Sequence, residues 1–227
     1  MLGEMLQNVR ENRPLVHCIT NYVTANDCAN LLLACGGSAI MADEMEEAEE
    51  VTSLCGGLVL NLGTPNPRKV EAMLRAGREA NRMGRPVVFD PVGVGCSAFR
   101  REASSRILEQ VQLSVIRGNA SEIAALTGGE TGRCGVDADA SAASAEKSAR
   151  LLAKKTGAMV VASGATDLVT DGEALYCVHN GHPMMRTVTG TGCQLSALTG
   201  AYVAANPQNL LRAALAATCA MGLCGEI

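Results

Sequence analysis

The sequence has no tryptophan, and aromatic residues make up only 2% of it. A buried core must therefore be assembled from Ala, Val, Leu, Ile, Met and Cys, and the stacking platforms that hold nucleic-acid bases are missing. Basic blocks are missing as well. The formal charge is −4 and no run of Lys and Arg is long enough to follow a phosphate backbone, which excludes nucleic acid as a partner. The longest apolar stretches, such as residues 213–219, fall far short of the ~20 residues that cross a bilayer. The opening residues lack the basic-then-apolar pattern of a secretory leader, so the expectation is a soluble cytoplasmic protein with no membrane partner. The ten cysteines form neither CxxC pairs nor zinc-type spacings with histidine. Most of them sit in apolar runs, where a reduced thiol behaves as a small hydrophobe. His17, His179 and His182 are too scattered for a metal pattern and read as structural. The acidic run at residues 44–50 reads as a solvated helix face.

What is present is a chain of 227 residues, 48% of them hydrophobic, enough for one domain with a sizeable core. Short β-branched runs alternate with amphipathic stretches, the pattern of βα units and a largely parallel sheet. The expected strands are residues 15–19, 38–42, 57–62, 86–90, 113–116 and 158–162. The expected helices are 25–35, 44–54, 67–83, 102–112, 120–126, 144–156, 193–205 and 210–224, with Pro67 in a first turn and Gly84 after an end. Residues 128–144, poor in apolar anchors, read as a surface loop, and residues 167–178 as a β-hairpin turning at Asp171-Gly172. The economical architecture is a single three-layer α/β/α domain.

Three segments carry candidate chemistry. In Val188-Thr189-Gly190-Thr191-Gly192-Cys193 a strand runs through a glycine turn into a helix start. Amides freed there form an anion site reinforced by the helix dipole, although a tight turn that merely needs glycine would look the same. Cys193 follows directly, where a helix N-terminus favours a thiolate. Asp90 in Phe89-Asp90-Pro91-Val92-Gly93 stands at the carboxyl end of a strand, where open α/β sheets bind ligands; an ordinary N-cap or turn aspartate is the plainer reading. In Ile116-Arg117-Gly118-Asn119-Ala120-Ser121-Glu122 a capping box accounts for Asn119 and Glu122. It leaves Arg117 unexplained, and a cation for phosphate oxygens beside a carboxylate able to reach Mg²⁺ is the functional alternative. Met41, at a strand end, would by default belong to the core.

Taken in order with Val16-His17-Cys18-Ile19-Thr20-Asn21, Ser38-Ala39-Ile40-Met41-Ala42, Leu60-Asn61-Leu62-Gly63-Thr64 and His179-Asn180-Gly181-His182, these segments make the chain resemble the hydroxyethylthiazole kinases. That resemblance spans nearly the whole chain. It implies a ribokinase-like fold with a mostly parallel central sheet, and Mg²⁺-dependent transfer of the ATP γ-phosphate to the hydroxyl of 4-methyl-5-(2-hydroxyethyl)thiazole. It implies that Met41, Gly190 and Asn21 contact the thiazole alcohol, and that Arg117, Ser163, Thr191, Gly192 and Asn119 bind ATP. Glu122 and Asp90 would serve the metal and Cys193 would assist the acceptor hydroxyl. It also implies a homotrimer with substrate sites at subunit interfaces, and members that continue beyond residue 227 through a further helical segment. Kinases of hydroxymethylpyrimidine or pyridoxal, and an ATP-dependent hydro-lyase of hydrated NAD(P)H, share the scaffold but ordinarily carry Asp where this chain has Cys193. A catalytically silent binding protein is the alternative from another class.

Overall fold

In the computed structural model, residues 2–128 and 142–227 are described; the expected loop at 128–144 falls almost wholly outside them. Eight strands form one sheet in the order β2-β1-β3-β4-β5-β6-β7-β8. They are β1 (Leu15–Ile19), β2 (Ser38–Ile40), β3 (Gly57–Asn61), β4 (Val87–Asp90), β5 (Val115–Asn119), β6 (Met159–Ser163), β7 (Asp167–Thr170) and β8 (Leu175–Val178). The first six run parallel, and β7 and β8 close one edge as the expected antiparallel hairpin.

The helices are α1 (Leu2–Asn12), α2 (Ala25–Cys35), α3 (Ala48–Leu54), α4 (Pro67–Arg82), α5 (Ala98–Gln110), α6 (Ala120–Leu126), α7 (Ala142–Thr156), α8 (Thr191–Ala205) and α9 (Leu210–Gly225). Strand side chains alternate between two apolar layers. Leu58, Leu60, Phe89 and Ile116 face the layer with Met73, Ile107 and Leu152 of α4, α5 and α7. Val59, Val88, Val115 and Val161 face the layer with Leu32, Leu198, Tyr202 and Ala213 of α2, α8 and α9. A parallel sheet buried on both faces reads as continuous hydrophobic runs, as the burial of all five β3 residues illustrates.

α8 is buried over most of its circumference, from Leu195 through Val203, so it runs inside the protein. Its small residues permit this. A Cβ at Gly200 would stand 2.5 Å from the Val59 Cγ2 and 3.2 Å from Val16 Cγ1, so the helix backbone rides directly on the sheet. Tyr202 is fully buried in the same layer, whereas Tyr176 on the edge strand β8 is exposed.

Several boundaries differ from the sequence reading. α1 was not expected; it has only Met5 and Val9 as buried anchors. The strand expected at 38–42 stops at Ile40, leaving Met41 in a loop, and the acidic helix begins at Ala48 instead of residue 44. α5 starts four residues early because the Ser97 side chain accepts from the Arg100 amide. No strand precedes the glycine turn. Residues Pro183–Thr187 form a 3₁₀ turn capped by His182, and Val188 is merely extended. Eight cysteines are free thiols, of which Cys177 and Cys224 are exposed, while Cys96 is disulfide-bonded against the expectation of reduced thiols. Cys134 lies outside the described residues.

Candidate active site

Parallel register aligns the carboxyl ends of neighbouring strands, placing Asn61 beside Asp90 across β3 and β4 and Asn119 beside Ser163 across β5 and β6. The amino end of α8 faces this edge. Asp90 is the node. Its Oδ2 accepts hydrogen bonds from Asn61 Nδ2 at 2.9 Å and Ser196 Oγ at 2.7 Å, and lies 3.6 Å from Arg117 Nη1. Its Oδ1 is buried without a hydrogen-bond partner. Burial pushes the carboxyl upward and the Glu122 charge adds to this; Arg117, Ser196 and Asn61 oppose it. A buried carboxylate with one oxygen unclaimed is unusual enough to mark a functional group.

Arg117 projects from the middle of β5 and is 9% exposed. Its Nη2 donates to Ser163 Oγ at 2.6 Å, and its Nε is buried without a partner. It also lies against Gly192, where a Cβ would stand 2.5 Å from Nη1. The glycine of the turn is thus a requirement of the guanidinium's position.

Asn119 caps α6, its Oδ1 accepting from Glu122 N at 2.9 Å and Ser121 Oγ at 2.7 Å. The capping box is complete. It does not exhaust Glu122, however. Glu122 Oε2 takes the Asn119 amide at 2.8 Å, and Oε1 reaches across to the Gly93 amide at 2.9 Å. The carboxylate therefore ties the β4 loop to the β5 loop next to Asp90. The Asn119 oxygen is thus taken up by the cap.

Gly190 holds φ 86° at the N-cap of α8, a conformation that glycine adopts without strain, and a Cβ there would overlap Thr24 Cγ2. The first intrahelical bond runs from Gln194 N to Gly190 O at 2.9 Å, and no side chain caps the helix start. The amides that precede Gln194 in α8 are thus left without an intrahelical partner, as at anion-binding helix starts. Thr191 Oγ1 donates back to Met185 O at 3.5 Å. Cys193 follows, half-buried, with its Sγ accepting from Asn21 Nδ2 at 3.2 Å. Here the expected thiolate is overturned. Burial is the largest influence and raises the thiol, the Asp90 charge raises it further, and Asn61, Arg117 and Thr24 only partly oppose.

Asn21, expected on the acceptor side, is bonded into this cluster. Its Nδ2 also donates to Asn61 Oδ1 at 3.0 Å, and its Oδ1 accepts from the Thr24 amide and hydroxyl, both at 3.1 Å. Met41, 37% exposed, stands in the loop after β2. Asn61 and Ser196, which hold Asp90, were not singled out from the sequence. The signal was present for Asn61, a polar residue ending an otherwise apolar strand. Ser196 gave none, being one small residue among many in α8. His17 is structural as expected, buried between Thr52 Oγ1 at 2.8 Å and Ala42 O at 2.7 Å. Among the described residues no three His, Cys, Asp or Glu groups converge to hold a metal. Asp90 and Glu122 are two carboxylates, a number that suits Mg²⁺ when nucleotide phosphates supply further oxygens. A surface cavity of about 390 Å³ bounded by Arg10, Arg13, Leu33 and Gly36–Ser38 lies at the amino ends of the strands, away from this cluster.

The model of the hydroxyethylthiazole kinase family matches residues 6–227. A protein of Clostridium acetobutylicum named hydroxyethylthiazole kinase is 50% identical over 234 residues, covering 100% of this chain and 86% of its own length. One of the same name from Desulfovibrio desulfuricans is 48% identical, over 100% of this chain and 82% of its own. The solved hydroxyethylthiazole kinase protein of Pyrococcus horikoshii superposes with a TM-score of 0.86 at 42% identity, over 95% of this chain and 80% of that one. A Bacillus subtilis pyridoxal kinase solved with ADP shares the fold, with a TM-score of 0.66 at 15% identity over 90% of this chain and 88% of its own.

Proposed function

The chain belongs to the hydroxyethylthiazole kinase family, and from that premise we propose how its residues transfer a phosphoryl group from ATP to the hydroxyl of 4-methyl-5-(2-hydroxyethyl)thiazole. The observation that carries the reading is the meeting of Asp90, Arg117 and the uncapped start of α8 at one sheet edge.

Phosphoryl transfer asks the protein mainly to position two oxygens and neutralise charge. Arg117, oriented by Ser163, holds the nucleotide phosphates, with Asn119 alongside. The amides of Thr191 and Gly192 receive the charge that develops on the transferred group, a fixed donor set needing no reorganisation. Asp90 and Glu122 would hold Mg²⁺, which neutralises phosphate charge when bound. The unclaimed Asp90 Oδ1 supports that assignment. On the acceptor side Met41, Asn21 and Gly190 contact the thiazole alcohol. Cys193, kept neutral by burial and by Asp90, orients the hydroxyl instead of removing its proton early, which a loose transition state tolerates.

Tyr22, Val23, Met41 and Val188 are exposed around the acceptor residues, and this supports a homotrimer in which a second copy completes the acceptor pocket. No helix among the described residues is long and apolar enough to cross a membrane. We assign the cytoplasm because the reaction draws on ATP. A coupled assay of ADP release tests the function. Turnover with the thiazole alcohol, and none with hydroxymethylpyrimidine or pyridoxal, is expected; folded protein giving no ADP with the thiazole alcohol refutes it. Loss of turnover in EDTA checks the metal, and light scattering at assay concentration checks the trimer.

A further inference from the structure

Lys69 stands in the first turn of α4 with its side chain only 1% exposed, an environment that lysine occupies only when its ammonium is fully partnered. Three partners account for it. Nζ donates to Thr20 O at 3.1 Å, lies 3.1 Å from Asp43 Oδ2, and sits 3.7 Å from the centroid of the Tyr22 ring. The Tyr22 hydroxyl donates to the same Asp43 oxygen at 2.8 Å, closing a ring of contacts. None of these partners belongs to the helix that carries the lysine. Thr20 and Tyr22 flank Asn21, and Asp43 lies two residues beyond Met41. From beneath, His17 Nε2 bonds Ala42 O in the same loop at 2.7 Å.

We infer that Lys69 is a positioning residue for the acceptor: its buried ammonium fixes the spacing of the two loops that carry Asn21 and Met41, and so sets affinity for the thiazole alcohol and not for the nucleotide. The plainer reading is a buried ion pair that merely steadies α4. It predicts no preference between substrates. The geometry favours the acceptor role because every Lys69 partner is in an acceptor-side loop, while the nucleotide-side groups Arg117, Ser163 and Glu122 are held by contacts independent of it. The inference rests on the proposed placement of the alcohol at Asn21 and Met41.

The test measures KM for each substrate in Lys69→Met, Asp43→Asn and Met41→Ala beside the unaltered enzyme, with melting curves to establish folding. Lys69→Met keeps the length of the side chain and removes its charge. It should raise KM for the thiazole alcohol about tenfold while KM for ATP moves by less than about twofold. Asp43→Asn should raise the same constant by about threefold. Folded Lys69→Met with an unchanged alcohol KM, or with both constants rising together, overturns the inference. Should Lys69→Met not fold, Asp43→Asn decides by the same criterion. If Met41→Ala also leaves the alcohol KM unchanged, the acceptor-site reading itself fails. If Met41→Ala raises it and Lys69→Met does not, only the role of Lys69 is lost.

Discussion

Replacing Gly192 by alanine asks whether the glycine turn exists for the sake of Arg117. The added Cβ would stand 2.5 Å, 2.9 Å and 3.0 Å from Nη1, Nη2 and Cζ of the guanidinium. Ordinary contact needs ~3.5–4 Å, so the guanidinium must retreat by about 1 Å, and the 2.6 Å bond to Ser163 Oγ does not survive that. Two terms then compete. Alanine is better than glycine in a helix by up to about 1 kcal/mol. A charged hydrogen bond lost is worth about 1.5–3 kcal/mol. The net is a destabilisation on the order of 1 kcal/mol, a fall in Tm of about 2–4 °C for a domain of this size. Activity suffers more, because the displaced guanidinium loses its proposed phosphate contact. Forfeiting one charged bond lowers kcat/KM for ATP by about 10–100-fold. Varying ATP at saturating alcohol measures this. The decisive arm repeats Gly192→Ala in an Arg117→Met background, where the methyl group has no guanidinium to displace and should be nearly silent. Coupling between the two sites of about 1–3 kcal/mol is expected. An ATP kcat/KM within about twofold of normal, or an effect undiminished without Arg117, refutes the reasoning.

Three further outcomes follow from the same edge of the sheet. Asp90→Asn should cost about 100-fold in kcat while stabilising the protein. The buried carboxyl is raised above its unfolded value, so the native protein loses stability as pH climbs past the usual carboxylate range near 4 and the amide does not. Without nucleotide or added divalent ions, its Tm gain should be a few degrees at pH ~8 and smaller at pH ~5; an equal gain at both, or a loss at pH ~8, counts against it. Glu122→Gln presents an NH₂ to one of the two backbone amides that the carboxylate now accepts. That should cost about 1–3 kcal/mol, seen as lower melting of the metal-free protein; an unchanged Tm would show those bonds to be unimportant. Alkylation by iodoacetamide near pH 7.5, followed by mass spectrometry, should modify exposed Cys177 and Cys224 at least about tenfold faster than Cys193, whose rate keeps rising beyond pH ~9. A plateau for Cys193 below pH ~8 would mean that its thiol is not raised.

Sequence patterning picked out residues that the fold brings together better than it described their surroundings. Asp90 was legible as a charge ending an apolar strand, and Arg117 as a charge that the capping box beside it did not explain, although β5 runs on past it to Asn119 and leaves it mid-strand. The chemistry of Cys193 was misjudged from local rules. A helix N-terminus favours thiolate, but the opposing burial and the Asp90 charge come from residues about a hundred positions away. Lys69 shows the same limit more sharply. In the sequence it is one polar residue near the start of an amphipathic helix; only the tertiary meeting of Thr20, Tyr22 and Asp43 turns it inward. α1 escaped notice because two anchors four residues apart are too few to set a period, and its stability comes from docking beside α8, as the Asn8 to Asn206 side-chain bond at 2.6 Å illustrates.

With three tyrosines and no tryptophan, the tyrosine signal of this protein divides among three separate places. Tyr202 is sealed within α8, Tyr22 covers the Lys69 ammonium in the loop after β1, and Tyr176 faces solvent on the edge strand. Exchanging any two for phenylalanine leaves one native reporter, with no foreign dye. The Tyr202 reporter follows collapse of the interior. The Tyr22 reporter follows opening of the loop proposed to hold the acceptor, which local unfolding can release well before the core gives way. A fold poor in aromatic residues therefore separates the motions of its active site from its global stability by simple optics.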